Sequence, residues 1–241
     1  DNLRMVYFDA KVILLEEGLA NYVLADMEAR YTTKRYDFVN RYILGGRLSY
    51  DPGICLVNEP DWVPEEAPFI VEGLPKLGKA NSALQRLREI FAYQATGLYD
   101  DYQSIYLTQP LEERAGEEEA RRIERAILDV IGGESLIRVH PRQSADLYAE
   151  AGKIDTVNNL WELQVNDGID EASVLIGAFS TAQVMPFLLY RNEPGLIFTY
   201  RLMGGDWAEA GEVVSLLRRG YSHPERIIVP ETLDELREAM S

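Results

Sequence analysis

Leu136-Ile137-Arg138-Val139, ending at His140-Pro141-Arg142, and Ser173-Val174-Leu175-Ile176-Gly177-Ala178-Phe179, ending at Ser180-Thr181, decide the fold. Each is a short apolar run that stops at a polar dipeptide, the pattern of a strand buried on both faces of a parallel sheet. Open α/β sheets hold ligands at the carboxyl ends of their strands. A histidine with a basic neighbour at one such end, and a hydroxyl pair at another, suit a phosphate.

Outward from this stretch the alternation continues. Ser104-Ile105-Tyr106-Leu107 reads as a strand that runs into the loop Thr108-Gln109-Pro110-Leu111. Glu117 to Ile131 is an amphipathic helix, with Ala120, Ile123, Ile127 and Val130 inward, glutamates in its first turn and Gly132-Gly133 as its stop. Ile154–Val157, Leu196–Tyr200 and Arg226–Val229 are further strands, and Trp207–Arg219 is a helix. Thr232-Leu233-Asp234-Glu235 is a capping-box start for a last short helix. Strands alternating with helices predict a doubly wound, Rossmann-like parallel sheet over residues 99–241. Residues 1–98 are read as the remnant of an N-terminal domain and a connecting segment. In them Lys11–Leu15 is a buried strand followed by Glu16-Glu17-Gly18, Leu19–Ala29 is helical, and Ser82–Tyr93 is a helix. Asp1 is not an initiator methionine and leads quickly into a strand-like run, so the chain is expected to begin inside a domain.

Composition narrows the function. A net charge of −16 over 241 residues gives no basic stripe for a phosphate backbone, which excludes nucleic acid and disfavours broad adhesion to an anionic membrane. One cysteine (Cys55) and two histidines argue against a disulfide framework and against Cys- or His-based metal sites. The longest apolar run, about residues 174–190, is broken by Ser180, Thr181, Gln183 and Pro186, so the expectation is a soluble cytoplasmic protein.

Each candidate residue has an ordinary explanation beside the chemical one. Glu16 and Glu17 could be a solvated turn closed by Gly18, the commoner outcome for such spacing, or a carboxylate pair whose basicity rises through repulsion and burial. Ser180-Thr181 could be a plain helix cap or an anion site at a helix start, with the two evenly matched. Glu162 could be a capping residue or a ribose partner. Trp62 is more simply a packed loop residue than a sugar platform. His223-Pro224 repeats the dipeptide of His140 but precedes a strand, so His223 is read as an ordinary loop residue.

Taken together, Glu16-Glu17-Gly18, His140-Pro141 and Ser180-Thr181, in that order, resemble the bacterial sialyltransferases of glycosyltransferase family 52, the lipooligosaccharide and capsule enzymes, with the polysialyltransferases behind them. Ile105–Leu111, Val139–Arg142 and Ile176–Thr181 look like the same family, and the resemblance covers Val12 to about Gly204. It implies a GT-B-like enzyme of two facing Rossmann-like domains, with CMP-sialic acid held by the C-terminal one. By that resemblance His140 contacts the donor phosphate and stabilises or protonates the leaving group. Pro141, Arg142, Gly177, Ser180 and Thr181 belong to the phosphate site, and Glu162 holds the ribose or base. The general base would be Glu16 in preference to Glu17. Some members place an acidic residue between the Gln-Pro loop and the His-Pro motif instead, which would make it Glu112 or Glu113.

The implied reaction is a single inverting displacement of CMP by a galactoside hydroxyl of a surface glycan, with neither a metal nor a further cofactor. The resemblance also implies peripheral association with the cytoplasmic face of the inner membrane. A shortened sheet edge would invite pairing with a second copy. The family carries a long segment before the acidic motif where this chain has fifteen residues, so most of the N-terminal Rossmann domain is expected to be missing. Two alternatives stay open: another nucleotide-dependent envelope transferase of sugar or glycerophosphate, and a non-catalytic nucleotide-binding domain.

Overall fold

A computed structural model describes residues 13–16, 18–23, 54–67, 70–78, 81–111, 116–157, 159–205 and 207–241. The chain forms two compact units, Asp1–Pro75 and Lys76–Ser241. The expected division fell after residue 98. Helix α1 (Ser82–Ile90) belongs to the second unit, where Arg88 forms a two-pronged ion pair with Asp167.

In the first unit, β1 (Ile13–Leu15), β2 (Ile54–Val57) and β3 (Ile70–Gly73) form a parallel sheet in that order. Cys55 and Val57 are fully buried, whereas Ile13, Leu15 and Ile70 are exposed. The expectation of a buried first strand is therefore corrected over Ile13–Leu15: side chains alternate across the sheet, with Ile13 and Leu15 on an exposed face among the described residues. The expected helix from Leu19 begins as a single 3-10 turn, Leu19–Tyr22, which ends at extended Val23; residues 24–29 lie outside the described set.

The second unit is the α/β domain read from the alternation. Its strands are β4 (Ser104–Leu107), β5 (Leu136–Arg138), β6 (Lys153–Ile154), β7 (Val174–Gly177), β8 (Gly195–Phe198) and β9 (Ile227–Ile228). They pair in the order β6-β5-β4-β7-β8-β9, all parallel. Counted within the unit this is 3-2-1-4-5-6, the Rossmann order, whose switch point lies between β4 and β7. Leu136, Leu175, Leu196 and Phe198 have no exposed surface, as strands covered on both faces require.

Helix α2 (Glu117–Ile131) joins β4 to β5 and buries Ala120, Ile123, Ile127, Leu128 and Ile131, while Val130 is only half-buried. Gly132, at φ 68°, ends it by donating its N–H to Leu128 O. Helix α3 (Trp161–Gly168) precedes β7, and α4 (Thr181–Tyr190) follows it. Pro186 inside α4 has no N–H, so the carbonyl of Ala182 loses its helical partner. The indole Nε1 of Trp161 donates to that carbonyl at 2.8 Å, tying the first turns of α3 and α4 together. Helices α5 (Ala208–Gly220) and α6 (Leu233–Ala239) are the remaining α-helices among the described residues of the unit. Thr232 caps α6 as expected, accepting from Glu235 N at 3.2 Å. The Glu235 carboxylate reaches one residue beyond the cap, to Glu231 N. Among the described residues no helix is long and apolar enough to cross a membrane.

Candidate functional site

The carboxyl ends of β5, β4 and β7 bring three loops side by side, carrying His140, Thr108-Gln109 and Phe179-Ser180. Adjacent strands lie about 4.8 Å apart, so the β5 and β7 ends stand about 10 Å from each other. The loops are bonded to one another. His140 N donates to Thr108 Oγ1 at 2.8 Å, and Thr108 Oγ1 donates to Gln143 Oε1 at 2.6 Å. Gln143 Nε2 donates to Gln109 O at 3.2 Å. The Gln109 side chain then pairs with Phe179 as a peptide group would, donating to its carbonyl at 2.6 Å and accepting from its N–H at 3.0 Å.

His140 is half-buried behind exposed Pro141 and Arg142. Its Nδ1 accepts from Arg142 N at 3.1 Å, which assigns the neutral ring's proton to Nε2. Partial burial, then the nearby Arg142 guanidinium, hold its pKa below the usual histidine value. The ring is thus neutral at pH 7 and offers an N–H donor. In an NMR titration, Arg142→Ala is expected to move the midpoint upward, because a like charge is removed, yet leave it below 6.5, because burial persists. An unchanged or lower midpoint would contradict that cause.

Ser180 is the N-cap of α4, and both halves of a capping box are present. Its hydroxyl accepts from Ala182 N at 3.2 Å, and Gln183 Oε1 accepts from Ser180 N at 3.2 Å. Gln183, with no exposed surface, also donates to Ile197 O at 3.1 Å. The capping role is therefore real, and Ser180 and Thr181 are half-buried at the loop that follows β7. Gly177 has a packing role: a Cβ there would lie 3.0 Å from Leu107 O and 3.1 Å from Gln183 Oε1.

Glu162 lies in the first turn of α3, half-buried, one residue after the tryptophan bonded to α4. Its carbonyl accepts from the Tyr190 hydroxyl at 2.9 Å, and burial, then the Glu162 charge, pushes that phenol up to about 12. Behind Trp161 stands a buried ion pair: Arg138 Nη1 donates to Asp155 Oδ2 at 2.6 Å and to Tyr99 Oη at 3.0 Å. The same guanidinium lies 4.8 Å over the Trp161 ring and bonds Asn159 O. These contacts fix the entry of α3 and hence the position of Glu162.

In the first unit Glu16 directly follows β1, and Gly18 takes φ 116°, a backbone conformation open to glycine. Glu16 Oε2 accepts from Tyr22 Oη at 2.5 Å, Asn58 N at 2.6 Å and Asn58 Nδ2 at 3.2 Å. This carboxylate is anchored through one oxygen, unlike a solvated turn. Burial, and then the Glu16 charge, pushes the Tyr22 phenol far above its ordinary range. Trp62 packs edge-on to Tyr22 with centroids 5.5 Å apart, the packed-loop role expected. Glu17, Glu112 and Glu113 lie outside the described residues. His223 is exposed ahead of β9, at the sheet's amino edge, beside Glu225.

No family model and no curated protein matches this chain. Two sets of residues escaped the sequence reading. Thr108 and Gln109 lie in the Ile105–Leu111 stretch of the resemblance, which assigns them no role, and Gln143 carries no signal beyond a polar residue after a strand. Arg138 and Asp155 are single charges inside the runs Leu136–Val139 and Ile154–Val157, and that place in two neighbouring apolar runs could have suggested a buried pair.

Proposed function

We propose that the chain is the donor-binding part of an inverting, metal-independent transferase that moves sialic acid from CMP-sialic acid to a galactoside of a surface glycan. The observation that carries this is the placement of His140 and Ser180-Thr181 on one carboxyl edge, flanking the strand at the switch point. The interval of about 10 Å between their strands is one that a phosphate bonded at both ends spans. His140 supplies an Nε2–H donor, and the start of α4 supplies partial positive charge.

In this reaction a carboxylate base takes the proton of the acceptor hydroxyl. The acceptor oxygen then bonds the anomeric carbon as the bond to the CMP phosphate breaks, and His140 hydrogen-bonds the departing phosphate. Glu162, whose neighbour Trp161 bonds the first turn of α4, is assigned the ribose or the base. The proposed setting is the cytoplasmic face of the inner membrane.

Calorimetric titration with CMP, UMP and ADP tests the reading, and Ser180→Asp sharpens it. Aspartate caps a helix about as well as serine, within about 0.5 kcal/mol, but sets a negative charge against the phosphate. The variant is expected to keep its thermal midpoint and lose CMP binding about tenfold or more. Preference for UMP or ADP would favour a different nucleotide-dependent transferase. Equal CMP affinity in Ser180→Asp would remove Ser180 from the site.

A further inference from the structure

Thr108, Gln109 and Gln143 make most of the bonds between the loops that carry them. Thr108 is 4% exposed, so the proton donated by its hydroxyl and the one it accepts both stay inside the protein. The circuit around His140 closes on itself: His140 N donates to Thr108, Thr108 donates to Gln143 Oε1, and Gln143 N donates back to His140 O at 2.8 Å. Gln143 has one amide oxygen and one amide nitrogen, and both are used, the nitrogen on Gln109 O. Gln109 likewise uses both ends of its amide on Phe179, the residue just before the N-cap of α4. Each step needs a donor at one atom and an acceptor at the next, so the polarity of the chain is set throughout.

We infer that Gln109, bonded directly to Phe179, and Gln143, acting through Thr108, are positioning residues that hold the His140 loop and the Phe179-Ser180 loop at a fixed separation, so that a ligand gripped by one loop is met by the other. None of the three is assigned contact with substrate; they act through the backbone of His140 and Phe179. An amide is required rather than a carboxylate, because Glu at 109 would set an oxygen against Phe179 O, and Glu at 143 would set one against Gln109 O. As a statement about the ligand, this inference rests on the donor-phosphate reading; as a statement about the loops, it does not.

Two readouts separate those levels. The first is amide hydrogen exchange on the unliganded chain. In Gln143→Ala and Gln109→Ala, exchange at His140 and Phe179 respectively is expected to quicken about tenfold or more, with Leu175 and Leu196 in the strands unchanged. Thr108→Val is expected to behave like Gln143→Ala, and Thr108→Ser, which keeps the hydroxyl, like wild type. The second readout is a double-mutant cycle on CMP affinity. Gln143→Ala is expected to weaken CMP about tenfold in the wild-type background and about twofold or less in His140→Ala, because it works through His140.

Unchanged exchange at His140 and Phe179, or an equal loss of affinity in both backgrounds, overturns the inference. Should Gln143→Ala fail to fold, the Thr108→Val and Thr108→Ser pair decides by the same two readouts. A wild-type chain that binds no CMP but shows the expected exchange pattern would refute the donor reading and leave the loop relay standing.

Discussion

On the proposed function, His140→Ala is expected to lower the rate of sialyl transfer from CMP-sialic acid by about 10²–10³-fold, the usual cost of removing one hydrogen-bond donor from a developing anion. The loss should fall chiefly on kcat, since phosphate charge grows as the glycosidic bond breaks. Folding should survive, because the ring is half-buried and its Nδ1 bond lies within its own loop. The backbone N–H that Thr108 accepts remains in the variant. Steady-state kinetics on an acceptor galactoside, beside a thermal melt, measures both. A variant within threefold of wild type would remove His140 from the chemistry, since even one exposed donor contributes about that much.

The largest stability effect is expected at Asp155. Its side chain is 3% exposed and that of Arg138 is 13% exposed, so Asp155→Ala strands a guanidinium where water reaches it poorly. Breaking such a pair from one side costs about 3–5 kcal/mol. The Tyr99 hydroxyl, which donates to the same carboxylate oxygen at 2.7 Å, loses its acceptor as well. For a unit of this size the melting midpoint should drop by about 10 °C. Asp155→Asn, which retains an acceptor oxygen, should lose markedly less. Chemical denaturation of the two variants tests this, and a loss under about 1 kcal/mol for Asp155→Ala would mean that Arg138 finds another partner.

The parallel sheet was legible because buried strands leave continuous apolar runs and the helices between them show their period, as in Leu136–Arg138 and Glu117–Ile131. Strand ends were less legible. Ile154–Val157 reads as one apolar-flanked run, yet the strand stops at Ile154, because Asp155 turns to Arg138 and accepts from Val157 N. The expected strand Ser173–Phe179 ends at Gly177, since Phe179 pairs with the Gln109 side chain instead of a neighbouring strand. Leu196–Tyr200 likewise ends at Phe198, where a 3-10 segment, Thr199–Met203, takes over.

At the site, the residues with chemical character were visible, and the amides that space them were not. A glutamine reads the same in a solvated loop as in a buried relay until its partners are known. The capping of α4 was open in the sequence because Ser-Thr before a helix serves both roles, and the structure shows the cap in place.

The proposed site requires one phosphate to be shared by the ends of β5 and β7. Its most direct test is a CMP titration followed by NMR, observing the His140 imidazole together with the backbone amides of Thr181 and Ala182. All three are expected to shift along a single binding curve with one midpoint. Movement at only one end, or at neither, under saturating CMP would contradict it.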